Sequence, residues 1–235
     1  MSKIVAILQS NYIPWKGYFD LINSVDEFIL YDDVQYTRRD WRNRNKIKTP
    51  DGTQWLTIPV EVKGKYFQKI NETLINDSSW SKNHWTRICS AYSKSPFFKT
   101  YGPIIEAIYS NCKSLSLSEI NSIFISEICK HLEITTPITD CTSYPTETEN
   151  PSERLLQICT QAGATIYVSG PAAKDYLDVT IFHKNGIEVQ WMNYSGYPEY
   201  PQFYPPFDHY VSVLDLLFNV GPNALACMER IKNAA

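Results

Sequence analysis

The first 33 residues constrain this chain more than any other stretch. The apolar run Ile4-Val5-Ala6-Ile7-Leu8 reads as a short buried strand. A turn from Gln9 to Trp15 follows, and Phe19, Leu21, Ile22 and Val25 then recur at the spacing of one helix face. A second apolar run, Phe28-Ile29-Leu30-Tyr31, ends in Asp32-Asp33. Strand, turn, helix and strand in this span predict a βαβ unit with its two strands parallel. Ligands of such units collect where strands end and helices begin. That rule gathers Gln9, Tyr12, Trp15, Tyr18, Asp32 and Asp33 at one edge. Pro14, Trp15 and Tyr18 either line a site there or pack the turn.

Beyond Asp33 the composition changes. Arg38 to Lys48 holds six cations and one acid in eleven residues. Asp51-Gly52 then marks a turn, and alternation resumes from Trp55 to Val60, so Asn45 to Val60 is expected to form a hairpin. An extended first arm puts Arg42, Arg44, Lys46 and Lys48 on one face and Asn43, Asn45 and Ile47 on the other. Such a face is either solvated or an anion site. Its nearness to the βαβ edge favours the anion site.

Three helices are expected next: one opening at Ser79-Trp80 and carrying His84, Trp85, Ile88 and Tyr92, one over Tyr101 to Asn111, and one over Leu117 to Leu132. They read as a helical insertion at about 79–133 within a single domain spanning 1–235. His84 is a surface or capping histidine or a general base. Asn150-Pro-Ser-Glu153 is a capping box. The helix behind it stops at Gly163, and a strand is expected over Thr165 to Val168. Ser169-Gly170-Pro171 then leads into a predicted helix carrying Lys174 and Tyr176, a place where backbone N–H groups can hold an anion or simply turn the chain. Ile187, Val189 and Trp191 alternate as a strand, and Tyr194 to Phe207, with Tyr200 and Gln202, forms a Pro-Tyr loop suited to a lid or a binding wall. Ser212 to Asn219 closes the pattern as an apolar helix. The fold expected is α/β and Rossmann-like: a mostly parallel sheet with flanking helices, a β-hairpin and the helical insertion.

Chemistry is constrained mainly by what is missing. The six cysteines are dispersed without zinc or redox spacing, and no G-x-S-x-G, H-E-x-x-H or P-loop lysine motif occurs. Asp32 and Asp33 are adjacent on a strand and point to opposite faces, so no metal site is expected. Only five apolar residues follow Lys3 before Gln9, and no run approaches membrane-spanning length, so neither a signal peptide nor membrane insertion is expected and the cytoplasm is the expected compartment. What remains is aromatic, amide and hydroxyl groups with a basic strip, fit to hold a phosphorylated or nucleotide-linked ligand. Acyl transfer onto an amine needs a base and oxyanion donors. His84, Asp32 or Asp33 could supply the base, and Arg42, Asn43 and Arg44 the donors.

The residues Gln9, Tyr12, Pro14-Trp15, Gly17-Tyr18-Phe19, Asp32 to Gln35, Trp41 to Asn45 and Trp55 to Val60 are together similar to the WbqC-like proteins. The likeness continues at His84, Tyr92, Ser169-Gly170, Lys174, Tyr176, Tyr200, Gln202 and Ser212 to Asn219, and covers nearly the whole chain. Tyr197 departs from the pattern, because the family carries His before this Pro-x-Tyr. The resemblance implies a role in bacterial surface-polysaccharide synthesis, particularly lipopolysaccharide O-antigen. It implies decoration of a nucleotide-linked amino sugar at its amine, with glycyl transfer the preferred form and aminoacyl-tRNA, here glycyl-tRNA, the donor suggested by Arg38 to Lys48. A sugar-nucleotide-binding accessory protein and a nucleotidyl- or glycosyltransferase are the alternatives. No cofactor is expected.

Overall fold

A computed structural model describes residues 2–228. The chain opens as expected: β1 (Ile4–Leu8), α1 (Lys16–Asn23) and β2 (Glu27–Leu30) form a βαβ unit, with Leu8 opposite Leu30 in the parallel register. The hairpin β3 (Arg44–Thr49) and β4 (Gly52–Thr57) stands apart as a two-stranded antiparallel sheet. Then come α2 (Trp80–Tyr92), α3 (Phe98–Asn111) and α4 (Leu117–His131), followed by β5 (Ile138–Asp140) and α5 (Pro151–Gln161). The chain continues through β6 (Ile166–Ser169), α6 (Val179–Lys184), β7 (Glu188–Trp191) and α7 (Val213–Val220). The main sheet runs β5-β2-β1-β6-β7, with every pairing parallel.

Both sheet faces are covered, which is why β2 is buried at every residue. Successive β1 side chains divide between the faces. Val5 and Ile7 join Ile29, Tyr31 and Tyr167 under α5 and α6, while Ala6 joins Phe28, Leu30 and Val168 on the other face. That second face holds the larger core. It takes in α1, α2, α3, α4, α7 and the hairpin residues Ile47 and Leu56. The helical insertion therefore shares one core with the sheet.

Three local readings change. Lys174 and Tyr176 are not on an α-helix: a short 3-10 turn spans Pro171–Asp175, and α6 is capped by Asp178, eight residues beyond Gly170. The third helix of the chain starts at Phe98, which leaves Pro103 inside it. The edge strand β5 has only three residues and no alternating apolar pattern, so nothing local announces it. Among the described residues no helix is long and apolar enough to cross a membrane.

After α7 the chain turns at Gly221 with φ at 64°, and a Cβ there would sit 2.4 Å from the Phe97 ring. Gly221→Ala should therefore lower the melting temperature, with a cost above the ~1 kcal/mol of a Gly-to-Ala change at an unfavourable φ alone. Thermal unfolding by circular dichroism reads this directly.

Candidate functional site

In this strand order the sheet reverses direction of growth at β1. The chain leaves β1 for β2 through α1 on one face, and reaches β6 from β5 through α5 on the other. Such a switch point opens a crevice at the carboxyl ends of the strands. A cavity of about 610 Å³ lies there. Gln9 beyond β1, Tyr31 and Val34 beyond β2, the start of α5, and Tyr176, Asp178 and Ile181 line it.

The charge of this cavity is not what the basic strip suggested. Its one cation, Arg154, pairs with Asp33 at 2.9 Å and lies over the Tyr31 ring at 5.4 Å from the centroid. Asp33 is also held by Lys69. Against that single cation stand Glu149, Glu153 and Asp178. Glu153 accepts from the Thr148 hydroxyl at 2.7 Å, and Asp178 accepts from the Thr180 backbone N–H at 3.0 Å. Burial pushes the Tyr31 phenol up to about 12, so it stays a donor. Carboxylates with flanking tyrosines favour a hydroxyl-rich or amine-bearing ligand over a phosphate.

A second cavity of about 310 Å³ is lined by Asn11, Pro14, Trp15, Trp41, Asn45 and Tyr210. Its walls are aromatic. Trp15 lies 5.3 Å from both Tyr194 and Tyr210, and Trp41 lies 5.3 Å from Trp55. Trp15 folds back over Gly17, where a Cβ would meet the indole at 2.4 Å, so the Trp-x-Gly spacing is a packing requirement.

Arg42 joins the two cavities. One terminal nitrogen donates to Gln9 Oε1 at 3.0 Å, and the other donates to Asn11 Oδ1. With both carbonyl oxygens held, Gln9 Nε2 and Asn11 Nδ2 are left as donors at the junction. Tyr18 supports the same segment by donating to the Gln9 carbonyl at 3.1 Å.

Other expected site residues lie elsewhere. His84 is 4% exposed, and both ring nitrogens are engaged. Nε2–H donates to the Thr57 carbonyl at 3.2 Å, so Nδ1 accepts from Tyr12 at 2.9 Å, and Tyr109 completes the chain at the Tyr12 hydroxyl. Burial, opposed by the Thr57 carbonyl and aided by Arg87, lowers its pKa to about 4. His84 and Tyr12 are thus a packed core network, and neither lines a described cavity. Asp32 is fully buried, with one oxygen accepting from Ser10 N–H at 2.8 Å and the other from the Ser118 hydroxyl. It is a buried structural acceptor that lines neither cavity.

The four-cation face is also dismantled. Lys46 pairs with Asp208 at 3.3 Å and Lys48 is buried against the Pro206 carbonyl, so the Pro-Tyr loop covers them. Arg44 stacks on Trp55 at 4.2 Å, and Asn43 is buried with its amide on the Ile58 carbonyl. Tyr200 and Gln202 donate to the buried Asp215 at 2.7 and 2.8 Å, which anchors the loop to α7 as a wall. Burial drives the Asp215 carboxyl pKa up even so, against its hydrogen bonds from Tyr200, Gln202 and Tyr92. Ser169 and Gly170 end β6 without lining either cavity, and Lys174 is exposed over Trp191. Of the expected residues, Gln9 and Trp15 line the cavities, Arg42 bridges them, and Asp33 pairs with the lining Arg154. Glu149, Arg154, Asp178 and Tyr210 went unforeseen. The capping box at Asn150 was the available signal, since it starts a helix at the carboxyl edge of the sheet.

The WbqC-like protein family model matches residues 9–227, and the chain belongs to that family. It is also 49% identical over 222 residues to an uncharacterized protein of Mycobacterium tuberculosis, covering 94% of this chain and 96% of that one. No solved structure was found to match the chain.

The His84 network makes a pH prediction. Its folded pKa is about 4 against an ordinary value of 6.5, so the unfolded chain binds the extra proton between these values. Stability from this site is therefore present above pH 6.5 and is lost as pH falls towards 4. Melting temperature followed over that range should fall more steeply for the native protein than for His84→Gln.

Proposed function

We propose that this protein transfers an acyl or aminoacyl group to the amine of a nucleotide-linked amino sugar, in the synthesis of a bacterial surface polysaccharide such as O-antigen. The observation that carries this proposal is the pairing of an acidic, tyrosine-flanked cavity with an aromatic one across a single guanidinium. Both volumes fall in the usual range for small-ligand sites, roughly 300–1,000 Å³. The amino sugar suits the first cavity and a stacked base or other flat group suits the second. Nucleotide-activated sugars would place the reaction in the cytoplasm.

The chemistry needs no covalent enzyme intermediate. Burial raises all six thiols, with Cys129 reaching about 12, so none is a ready thiolate. The sugar nitrogen attacks the acyl carbon directly. A C–N bond forms, the bond from the acyl carbon to its leaving group breaks, and the leaving group takes up a proton. Gln9 Nε2 and Asn11 Nδ2 are the donors at hand for the oxyanion of the tetrahedral intermediate. Glu149 is exposed on the cavity wall and makes no hydrogen bond or ion pair among the described residues, so it serves as acceptor of the ammonium proton. Asp32, on which a metal-dependent glycosyltransferase would have relied, is buried and fully engaged. An accessory protein that only holds the sugar nucleotide is the competing role, favoured by the burial of His84.

Incubation with a panel of amino-sugar nucleotides and activated acyl or aminoacyl donors, read by mass spectrometry, tests the transfer. A sugar nucleotide heavier by one acyl group is expected; tight binding without any mass shift selects the accessory role. Arg42→Ala should weaken sugar-nucleotide binding by about 1.5–3 kcal/mol, the size of one charge-assisted contact. Glu149→Gln should cut turnover by about 10²-fold while leaving the dissociation constant nearly unchanged.

A further inference from the structure

Large aromatic side chains stand exposed in a connected series. Trp41 and Trp55 are each 39% exposed, Tyr66 is 70% exposed and Phe67 82% exposed. Trp41 lines the aromatic cavity and packs against Trp55. Arg44 lies over Trp55 and donates to the Arg39 carbonyl. The neighbouring Arg38 donates to the Val62 carbonyl at 2.7 Å and shares a surface groove of about 340 Å³ with Lys65 and Tyr66. Tyr66 then packs edge-on against Phe67 at 4.9 Å. Two indoles, a run of arginines and a second pair of rings thus follow one another from the mouth of the aromatic cavity to the loop tip.

Lys65 on this track pairs with Glu61, and the charge left over belongs to the arginines. Arg38, Arg39 and Arg44 make no ion pair among the described residues, whereas Arg42, Arg154, Lys46 and Lys69 all do. A chain with a formal net charge of −3 thus keeps three arginines without an ion pair on the track that carries its exposed indoles. A cationic stretch flanked by exposed ring pairs matches a single-stranded nucleic acid, which offers phosphates to the guanidinium groups and unstacked bases to the rings. A lipid surface would meet the tip of Tyr66 and Phe67 but has no component to follow the arginines back to the cavity.

We propose that this track binds the single-stranded end of an RNA and leads it into the aromatic cavity. The inference rests on the transferase function for its consequence: the donor is then an aminoacyl ester carried on the terminal ribose of that RNA. The sugar amine replaces the ribose oxygen at the acyl carbon, an amide forms, and the ribose hydroxyl recovers the proton that the amine loses.

The test uses the full-length protein and a fluorescein-labelled single-stranded oligoribonucleotide of about twelve nucleotides, a length within the usual footprint of such sites. Anisotropy should show saturable binding that weakens steeply between roughly 50 and 200 mM salt. A blunt RNA duplex of the same length should bind more weakly. The double variant Tyr66→Ala/Phe67→Ala removes only exposed rings, and Arg38→Ala/Arg39→Ala removes surface charge together with the Arg38 hydrogen bond to the Val62 carbonyl. Each should lose at least about fivefold in affinity, with circular dichroism unchanged. Equal affinity in the variants, or equal affinity for the duplex, overturns the track. Binding of phosphatidylglycerol vesicles that the ring variant abolishes, with no RNA binding, overturns it in favour of a membrane. Sugar-nucleotide binding, measured by calorimetry on the same samples, separates the two proposals. Its retention without RNA binding rejects the track alone, and RNA binding without any acyl transfer from a charged RNA rejects the donor role.

Discussion

A single buried carboxylate holds the site in register. Asp32 closes the turn after β1 through Ser10 N–H and reaches α4 through the Ser118 hydroxyl. Asn121, one helical turn further along α4, donates to Ser10 Oγ at 3.0 Å and to the Arg42 carbonyl at 2.9 Å. The turn carrying Gln9 and Asn11, the loop carrying Arg42 and the helical segment are therefore tied at one point in the core. A buried acceptor of this kind is costly to leave unmade, because each donor stranded by its loss has no water to turn to. The catalytic assignment of Asp32 fails for this reason, and the same reason explains why the helical segment belongs to the site although it lines neither cavity.

The architecture was legible where periodicity is strong. The βαβ opening, the Asp-Gly hairpin and the Asn150 N-cap each have a local cause and appear in place, although Glu153 accepts from the Thr148 hydroxyl and not from the Asn150 N–H that a full capping box requires. The site was legible only in part. Gln9, Trp15 and Arg42 follow from the rule that ligands gather at strand ends. Local pattern says nothing of what covers a charge, however, and the Pro-Tyr loop takes Lys46 and Lys48 out of the strip from more than 150 residues away in sequence. The burial of His84 is hidden for the same reason. Its partner Tyr12 lies 72 positions away, and Tyr109, which joins at the Tyr12 hydroxyl, lies 97 positions from Tyr12, a relation only the folded chain shows.

The distribution of charge gives the surface a clear polarity. Carboxylates line the switch-point cavity, while unpaired arginines run beside exposed indoles towards the aromatic one. Burial also sets the interior: Lys16 sits among Tyr197, Tyr200 and Phe207, and loss of water lowers its pKa to about 8. Its amine still donates to the Pro198 carbonyl at 3.0 Å, so the same loop that covers the hairpin is pinned to α1. The loop consequently fixes three lysines and one carboxylate at once, and acts as part of the wall.

The short outer strands have a consequence for how the molecule meets copies of itself. β5 is three residues long and follows directly on Pro137, and β7 is four residues long and begins with a glutamate. A sheet edge invites backbone pairing from another chain in proportion to the length of ladder it leaves open, and charge or proline at the edge discourages it. An all-parallel sheet folds through distant pairings and keeps its strands unpartnered for longer on the way. Edges this brief limit the template offered to a neighbouring chain, so crowded synthesis need not turn into strand-to-strand aggregation.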